Sequence, residues 1–269
     1  MINIKKQLIS EITRLINNEV YKYKKSLDAR GCKNKIKYNT FIKIFITKLE
    51  TGLTWNYLGS IYNISKSHIH DTFCKWSDYG IFKNAFYKFL KHYHLFINNN
   101  EAYIDSTTIF NKYGYLNIVG MNTYESKKHK SNKLSILSSK NGIPLGIHIN
   151  SGNIHDIKML LHTLPNKICF KNLYADKSYV SKKLKAHLLN TKHINIITPY
   201  KKNQKLVNTI EEINGLKNRM RIEHLNNKIK MNRSLNTRYT KELLNFESLI
   251  YLGCLKIGLN IVINDFYKF

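Results

Sequence analysis

The spacing of apolar residues predicts helices in the first hundred residues. Over 2–20 and 38–50 these residues recur at steps of three and four, which places them on one helix face. Two shorter helices are predicted within 53–80, beginning after Thr54 and Ser65, both residue types that cap helix N-termini. A short helix pair joined by a tight turn is typical of a helix-turn-helix, although an ordinary helical hairpin has the same pattern.

The second of these short helices would carry the residues that meet DNA. A helix-turn-helix contacts base edges from the outer, N-terminal part of its second helix. The candidate DNA-binding residues in that part of the sequence are Lys66, Ser67, His68 and His70.

The hydrophobic period changes near residue 98. Strands are predicted at 102–109, 133–139, 143–150, 171–179 and 194–199, and helices at 155–164, 181–190 and from about 208 onward. Such an order predicts an α/β domain with a mixed sheet flanked by helices. We therefore expect two domains, a helical domain with the helix-turn-helix over 1–98 and an α/β domain over 99–269.

The net charge indicates a binding partner. The chain has 44 Lys and Arg residues against 17 Asp and Glu, a formal net charge of +27 over 269 residues. Codon bias of an AT-rich genome would explain part of the lysine surplus, but not the scarcity of acids. A surface this basic attracts polyanions, so double-stranded DNA is the predicted partner.

Other classes of protein are disfavoured. The four cysteines have no paired spacing, which argues against a zinc ribbon or a disulfide framework. The N-terminal residues are too charged for a signal peptide. The apolar stretch 249–263 contains Lys256 and is predicted to be a buried helix, so we expect no membrane partner.

Three acidic residues lie where chemistry is expected. Asp105 interrupts an apolar strand, Asp176 ends another, and Glu223 lies on a helix. A carboxylate in an apolar strand is costly to bury unless it is paired or binds a cation. Taken singly, each could be a surface or capping acid. Together they could meet at one end of the sheet and hold two Mg²⁺ ions, with Mn²⁺ as a substitute, for cleavage of a phosphodiester.

Basic residues accompany these acids. Arg219 and Lys230 lie four residues before and seven after Glu223, a spacing that shares one helix face. They could hold the carboxylate and reach DNA phosphates, or form an ordinary surface salt bridge. The basic cluster of Lys127, Lys128 and Lys130 could likewise bind DNA or be a solvated loop.

Four blocks carry a family resemblance. They are YIDST at 103–107, NGIPLGIHINSGNIHD at 141–156, LYADKSYVS at 173–181 and RMRIEHLNNKIK at 219–230. In this order they resemble the conserved blocks of DDE insertion-sequence transposases, in particular the group named after insertion sequences four and five, to which Harbinger-type elements are related. The chain departs from that group at Leu216, where the signature has a tyrosine, and at Ser178 and Val180 in the second acidic block.

The resemblance implies a ribonuclease-H-like catalytic domain preceded by a helix-turn-helix. Asp105, Asp176 and Glu223 would be the catalytic, metal-binding acids, and Arg219 and Lys230 the signature basic residues. The expected activity is cleavage at the ends of the protein's own mobile element and joining of the 3′-hydroxyl to target DNA. The alternatives are a non-catalytic DNA-binding protein or repressor, and a nuclease that cuts without joining.

Two further expectations depend on this activity. Joining two DNA ends predicts a dimer or larger assembly on DNA. In a bacterial host the protein would be cytoplasmic and associated with the nucleoid.

Overall fold

The computed structural model describes residues 2–26, 36–97, 100–121, 129–165, 170–200 and 208–266. The chain divides into two units. The first comprises Met1–Tyr93, Lys112–Tyr115 and Ile229–Phe269, and the second comprises His94–Asn111 and Leu116–Lys228.

The first unit is mainly helical. Its elements are α1 (Ile2–Ser26), α2 (Tyr38–Thr51), α3 (Trp55–Tyr62), α4 (Lys66–Asp78), α5 (Ile81–His92), α11 (Arg233–Asn236), the two-residue strand β7 (Thr237–Arg238) and α12 (Leu243–Phe266). The long apolar helix α12 packs against α1, α4 and α5. It therefore supplies much of the apolar core that the amphipathic N-terminal helices need on their inner faces.

The second unit contains the sheet. Its elements are α6 (His94–Ile97), β1 (Glu101–Asn111), β2 (Gly120–Met121), β3 (Lys130–Ser139), β4 (Pro144–Ser151), α7 (Asp156–Thr163), β5 (Asn172–Tyr174), α8 (Lys182–Lys192), β6 (Asn195–Ile197), α9 (Ile210–Lys217) and α10 (Met220–Met231), whose last three residues fall in the first unit. Short 3₁₀ turns occur at Leu116–Ile118 and Lys177–Tyr179.

The sheet contains both antiparallel and parallel strand pairs. The strands β3 and β4 form a hairpin through residues 140–143, where Gly142 adopts a positive φ of 78°. β1 pairs with β3 in antiparallel fashion, and with β5 in parallel fashion on its other side, and β6 extends the parallel part. The helix α7 packs on β3 and β4, and α8 on β6. The predicted fold class, a mixed sheet flanked by helices and preceded by a helical region, is confirmed.

Some expected boundaries differ from the structure. The expected strand at 171–179 is only Asn172–Tyr174, because Lys177–Tyr179 turns into a 3₁₀ helix. The segment Ile229–Phe269, which we expected in a catalytic domain over 99–269, packs with the first unit instead. The functions assigned to 1–98 and 99–269 stay predictions.

One helix has the length and composition of a membrane span. Within the described chain this is Leu243–Asp265, and 72% of its most apolar window is buried inside the protein. The burial is consistent with the core helix predicted for 249–263.

Candidate active site

The sheet register aligns the first two predicted acids. On adjacent parallel strands, Tyr103 of β1 pairs with Tyr174 of β5, and their rings stack with centroids 5.3 Å apart. Asp105 and Asp176 each lie two residues beyond this pair. Asp105 lies within β1 and Asp176 lies just beyond the end of β5, so the register places the two residues at the same level along neighbouring strands.

A glycine brings the following helix onto this tyrosine pair. A Cβ built on Gly215 of α9 would lie 2.1 Å from ring carbons of Tyr174, so only a glycine fits against the ring. The helix α9 then ends at Lys217, and Arg219 lies in the turn before α10 begins at Met220. This contact fixes the turn close to Asp105 of β1 and to the end of β5.

Arg219 joins the three acids. Its Nη1 lies 3.9 Å from Oδ1 of Asp105, and its Nη2 lies 3.9 Å from Oδ1 of Asp176 and 3.4 Å from Oε1 of Glu223. The guanidinium is 22% exposed and Asp105 is 23% exposed, whereas Asp176 and Glu223 are 48% and 54% exposed. The structure thus gathers the three predicted acids around one cation, with one partly buried and two solvent-facing carboxylates.

Asp105 has an unusual environment for a carboxylate. Burial raises its pKa to about 6; the backbone N–H of Ser106 and the charge of Arg219 oppose this rise, and the charges of Glu223 and Asp156 add to it. The side chain of Asn226 on α10 donates from Nδ2 to Oδ2 of Asp105 at 3.0 Å.

Asn226 is a candidate site residue that the sequence patterns did not indicate. Its Oδ1 is buried and has no hydrogen-bond partner among the described residues. The signal that could have found it is helical spacing, since Asn226 follows Glu223 by three residues and shares its helix face. An amide that holds one acid and leaves an oxygen unsatisfied is a further candidate site residue.

A second polar cluster supports β1 from the opposite sheet face. Adjacent residues of a strand point to opposite faces, so Ser106 lies behind Asp105. Its Oγ donates to Oδ1 of Asp156 at 2.7 Å, and the buried Lys133 forms an ion pair with the same oxygen at 3.0 Å. Asp156 is the first residue of α7, which agrees with the helix predicted over 155–164. These residues hold α7 against the strand that carries Asp105.

Metal-binding capacity depends on the donor set. Within the residues that the structure describes, no three His, Cys, Asp or Glu side chains are arranged to hold a metal ion. The three carboxylates nevertheless converge on a positive charge, and carboxylate oxygens are the donors that Mg²⁺ and Mn²⁺ prefer. The three carboxylates are therefore chemically suited to bind a divalent cation. In the structure their oxygens face the guanidinium of Arg219.

The helix pair α3–α4 has the local features of a helix-turn-helix. The side chains of Thr54 and Ser65 accept hydrogen bonds from the backbone N–H groups of Tyr57 and His68. A Cβ on Gly59 would lie 2.7 Å from the carbonyl oxygen of Ile64, so a glycine permits the close turn. The apolar residues Leu58, Ile69, Phe73 and Trp76 are buried, whereas Ile61 is exposed.

The predicted DNA-binding residues of α4 are exposed, but some of their side chains also contact aromatic rings. Lys66, Ser67, His68 and His70 are all exposed in the first turns of α4. The ring of His68 also contacts Phe41, at 5.3 Å between centroids, and that of His70 contacts Trp55 at 5.8 Å. Lys66 and Ser67 are therefore the more available pair on this surface.

The remaining basic candidates lie on other elements. Lys130 is exposed at the start of β3, and Lys230 is partly buried near the end of α10. Lys127 and Lys128 lie outside the described residues.

One family model matches part of the chain. The model, described as a transposase DDE domain, matches residues 129–241. This part of the chain is therefore similar to a transposase DDE domain. The match includes Asp176, Arg219 and Glu223, and it begins after the strand that carries Asp105. The more specific kinship with the group of insertion sequences four and five stays a prediction.

Solved structures give a comparison of the fold. A piggyBac transposase synaptic complex with hairpin DNA matches at a TM-score of 0.51 and 11% identity, covering 97% of this chain and 73% of that chain. A Mos1 transposase paired-end complex with left transposon end matches at a TM-score of 0.26 and 11% identity, over 81% and 86% of the chains. The first comparison shows a shared fold. No curated protein is significantly similar to the chain in sequence.

Proposed function

We propose that this protein is a metal-dependent transposase that cleaves phosphodiester bonds at the ends of its own element and joins the 3′-hydroxyl to target DNA. One observation carries the proposal: Asp105, Asp176 and Glu223, which come from three separate elements of a DDE fold, all lie within 4 Å of the same guanidinium. Folding alone does not require three acids that are distant in the sequence to converge, and the chain has only 17 acidic residues.

The three acids would hold two divalent cations, Mg²⁺ or Mn²⁺. When bound, these ions supply charge stabilisation for the attacking and leaving oxygens of a phosphodiester. Asp105 is held by β1 and by Asn226, so its carboxylate keeps a fixed orientation. Asp176 and Glu223 face solvent, on the side from which a DNA strand can approach. The contribution of the chain is thus positioning and electrostatic preorganisation.

DNA would be bound by a separate surface. The exposed N-terminal part of α4 would contact the ends of the element, and the basic surface would bind phosphates without regard to sequence. Because two ends must be brought together for joining, we propose that the protein acts as a dimer or larger assembly.

The direct test is a cleavage assay. Purified protein is incubated with labelled DNA that carries the sequences flanking its own gene, with Mg²⁺ or Mn²⁺, beside Glu223→Gln and the matched control Glu211→Gln, an exposed residue of α9. We expect metal-dependent nicking at the element boundary by the wild type and the control, and its loss in Glu223→Gln.

The outcome separates the competing functions. Nicking followed by joined products supports a transposase, and nicking without joining supports a nuclease. DNA binding without cleavage by any of the three folded proteins would contradict the enzymatic proposal and favour a DNA-binding protein or repressor.

A further inference from the structure

Arg219 is the counter-ion of the candidate active site. Among the described residues, every ion pair that Asp105, Asp176 or Glu223 makes is with this guanidinium. An arginine is always protonated in a protein, so its charge stays at the centre of the cluster at every pH at which the protein is folded. The same three carboxylates are those that a divalent cation would need.

Arg219 and a divalent cation cannot share these oxygens without cost. Two positive charges a few ångströms apart repel each other, and even in a partly hydrated site the repulsion is worth about tenfold or more in a binding constant. A metal that enters must either accept this penalty or displace the guanidinium. Since Asp176 and Glu223 are about half exposed, the guanidinium can leave toward solvent.

We infer that Arg219 competes with the divalent cation in the DNA-free protein and is drawn from the acids by a DNA phosphate. A guanidinium binds phosphate as well as carboxylate, with two parallel N–H donors. Phosphate binding would therefore release the three carboxylates when the substrate arrives. The inference rests on the proposed function and adds a mode of regulation, in which DNA promotes metal loading.

Linkage makes the consequence measurable. If DNA removes a cation that opposes metal binding, then DNA raises the affinity for metal, and metal raises the affinity for DNA by the same factor. Both effects require the charge at position 219. A protein regulated in this way would be poorly loaded with metal, and poorly active as a nuclease, until DNA is bound.

The first experiment measures metal affinity without DNA. Free Mn²⁺ is followed by its electron paramagnetic resonance signal while the metal-free protein is titrated. The variants are Arg219→Gln, the charge-preserving Arg219→Lys, and the matched control Arg221→Gln, whose guanidinium donates to the carbonyl oxygen of Lys140 instead. Arg219→Gln is expected to bind Mn²⁺ about tenfold more tightly than the wild type, and the other two about as weakly as the wild type.

The second experiment adds a short duplex of random sequence. Mn²⁺ affinity of the wild type and of Arg221→Gln is expected to rise, after subtraction of the Mn²⁺ bound by the duplex alone, whereas that of Arg219→Gln stays near its DNA-free value. A double variant, Asp105→Asn with Arg219→Gln, is expected to lose the tightened binding, which assigns the ion to these carboxylates. Circular dichroism melts confirm that each variant is folded.

The failure modes are distinct. Equal Mn²⁺ affinity of the wild type and Arg219→Gln would overturn the inference and leave the proposed function standing. Tightening by Arg219→Lys as large as that by Arg219→Gln would also overturn it, because bulk rather than charge would then be responsible. Absence of Mn²⁺ binding by every folded variant, with and without DNA, would contradict the proposed function itself.

Discussion

The three candidate acids are unequal in their surroundings. Asp105 is partly buried on a central strand and is held by an amide from α10, whereas Asp176 and Glu223 lie at the ends of their elements and face solvent. A buried carboxylate pays a desolvation cost that only partners can offset, which is why burial raises the pKa of Asp105 to about 6. The orientation of this acid therefore depends on Asn226 and Arg219 together.

Removal of Asn226 tests its role as a positioning residue. A hydrogen bond to a charged group contributes about 1.5–3 kcal/mol, so Asn226→Ala is expected to lower the rate of metal-dependent nicking by about tenfold or more. DNA affinity should stay roughly unchanged, because Asn226 is buried away from solvent. Nicking kinetics at saturating DNA measure the effect, with the exposed neighbour Asn227→Ala as the control. Equal loss in both variants would show that α10 had merely been destabilised.

Lys48 gives a pH-dependent prediction in the helical unit. Its Nζ donates to the carbonyl oxygen of Leu53 at 2.6 Å and lies 5.0 Å from the ring centroid of Trp55. Burial lowers the pKa of Lys48 from 10.5 to about 8. In the unfolded chain the amine keeps its proton up to the higher value, so between about pH 8 and 10.5 the unfolded state binds more protons than the folded state.

The free energy of unfolding should therefore rise with pH across this window. The gain is at most about 3 kcal/mol and should be absent in Lys48→Met, which cannot titrate. Urea unfolding of both proteins at pH 7 and pH 10 measures the difference, and the other titrating groups cancel in the comparison. Parallel stability curves for the two proteins would show that the amine is not desolvated.

At the scale of elements, the site depends on one contact between a helix and a strand. Gly215 of α9 lies directly against the ring of Tyr174, which stacks on Tyr103 two residues before Asp105. Any side chain at position 215 must move α9, and with it the turn that carries Arg219. The geometry of the acids is thus coupled to a residue that has no chemistry of its own.

Gly215→Ala tests this coupling. Alanine favours a helix over glycine by about 1 kcal/mol, so an isolated helix would gain stability. Here we expect a loss of about 1–3 kcal/mol from overpacking, with slower nicking. Thermal melts and the cleavage assay measure both effects, with Asn214→Ala on the exposed face of α9 as the control. A stabilised, fully active Gly215→Ala protein would contradict the proposed packing.

The helix α4 gives a prediction on DNA binding. Lys66 is exposed at its first turn and Lys75 is exposed at its last turn. If α4 is the recognition helix of a helix-turn-helix, Lys66→Gln should weaken binding to all sequences and lower the salt slope by about 1, and Lys75→Gln should have less effect. Fluorescence anisotropy at several salt concentrations measures this. Equal effects of the two substitutions would favour an ordinary helical hairpin.

The sequence could predict what local rules determine. The hairpin turn at Gly142, the N-caps Thr54 and Ser65, and the strand that carries Asp105 all follow from residue types and short periods. Helical spacing places Asn226 beside Glu223, but its hydrogen bond to Asp105 joins residues far apart in the sequence, as does the ion pair of Lys133 with Asp156, and no local period marks such contacts.

The same limit applies to whole segments. The inclusion of Ile229–Phe269 in the same unit as the N-terminal helices is determined by tertiary packing. The helical period of these residues is the same in either case. Their assignment to a unit therefore required the structure.

At the scale of the whole molecule, the main feature is the net charge. A charge of +27 on 269 residues attracts a polyanion of any sequence, and this attraction weakens as the ionic strength rises because salt screens the charges. The three clustered carboxylates nevertheless repel one another, and Arg219 supplies a positive charge between them.

Salt dependence is the measurement that belongs to this scale. A protein that neutralises about 6–10 phosphates loses about 10³–10⁵ in affinity between 50 and 200 mM salt, and we expect a loss in this range for DNA of any sequence. The preference for the element's own ends over random DNA should change much less, because base contacts do not release counter-ions. Titrations with both duplexes across the salt range measure the two quantities separately. A shallow slope for random DNA would mean that the surplus lysines reflect codon usage, and that end recognition rests on α4 alone.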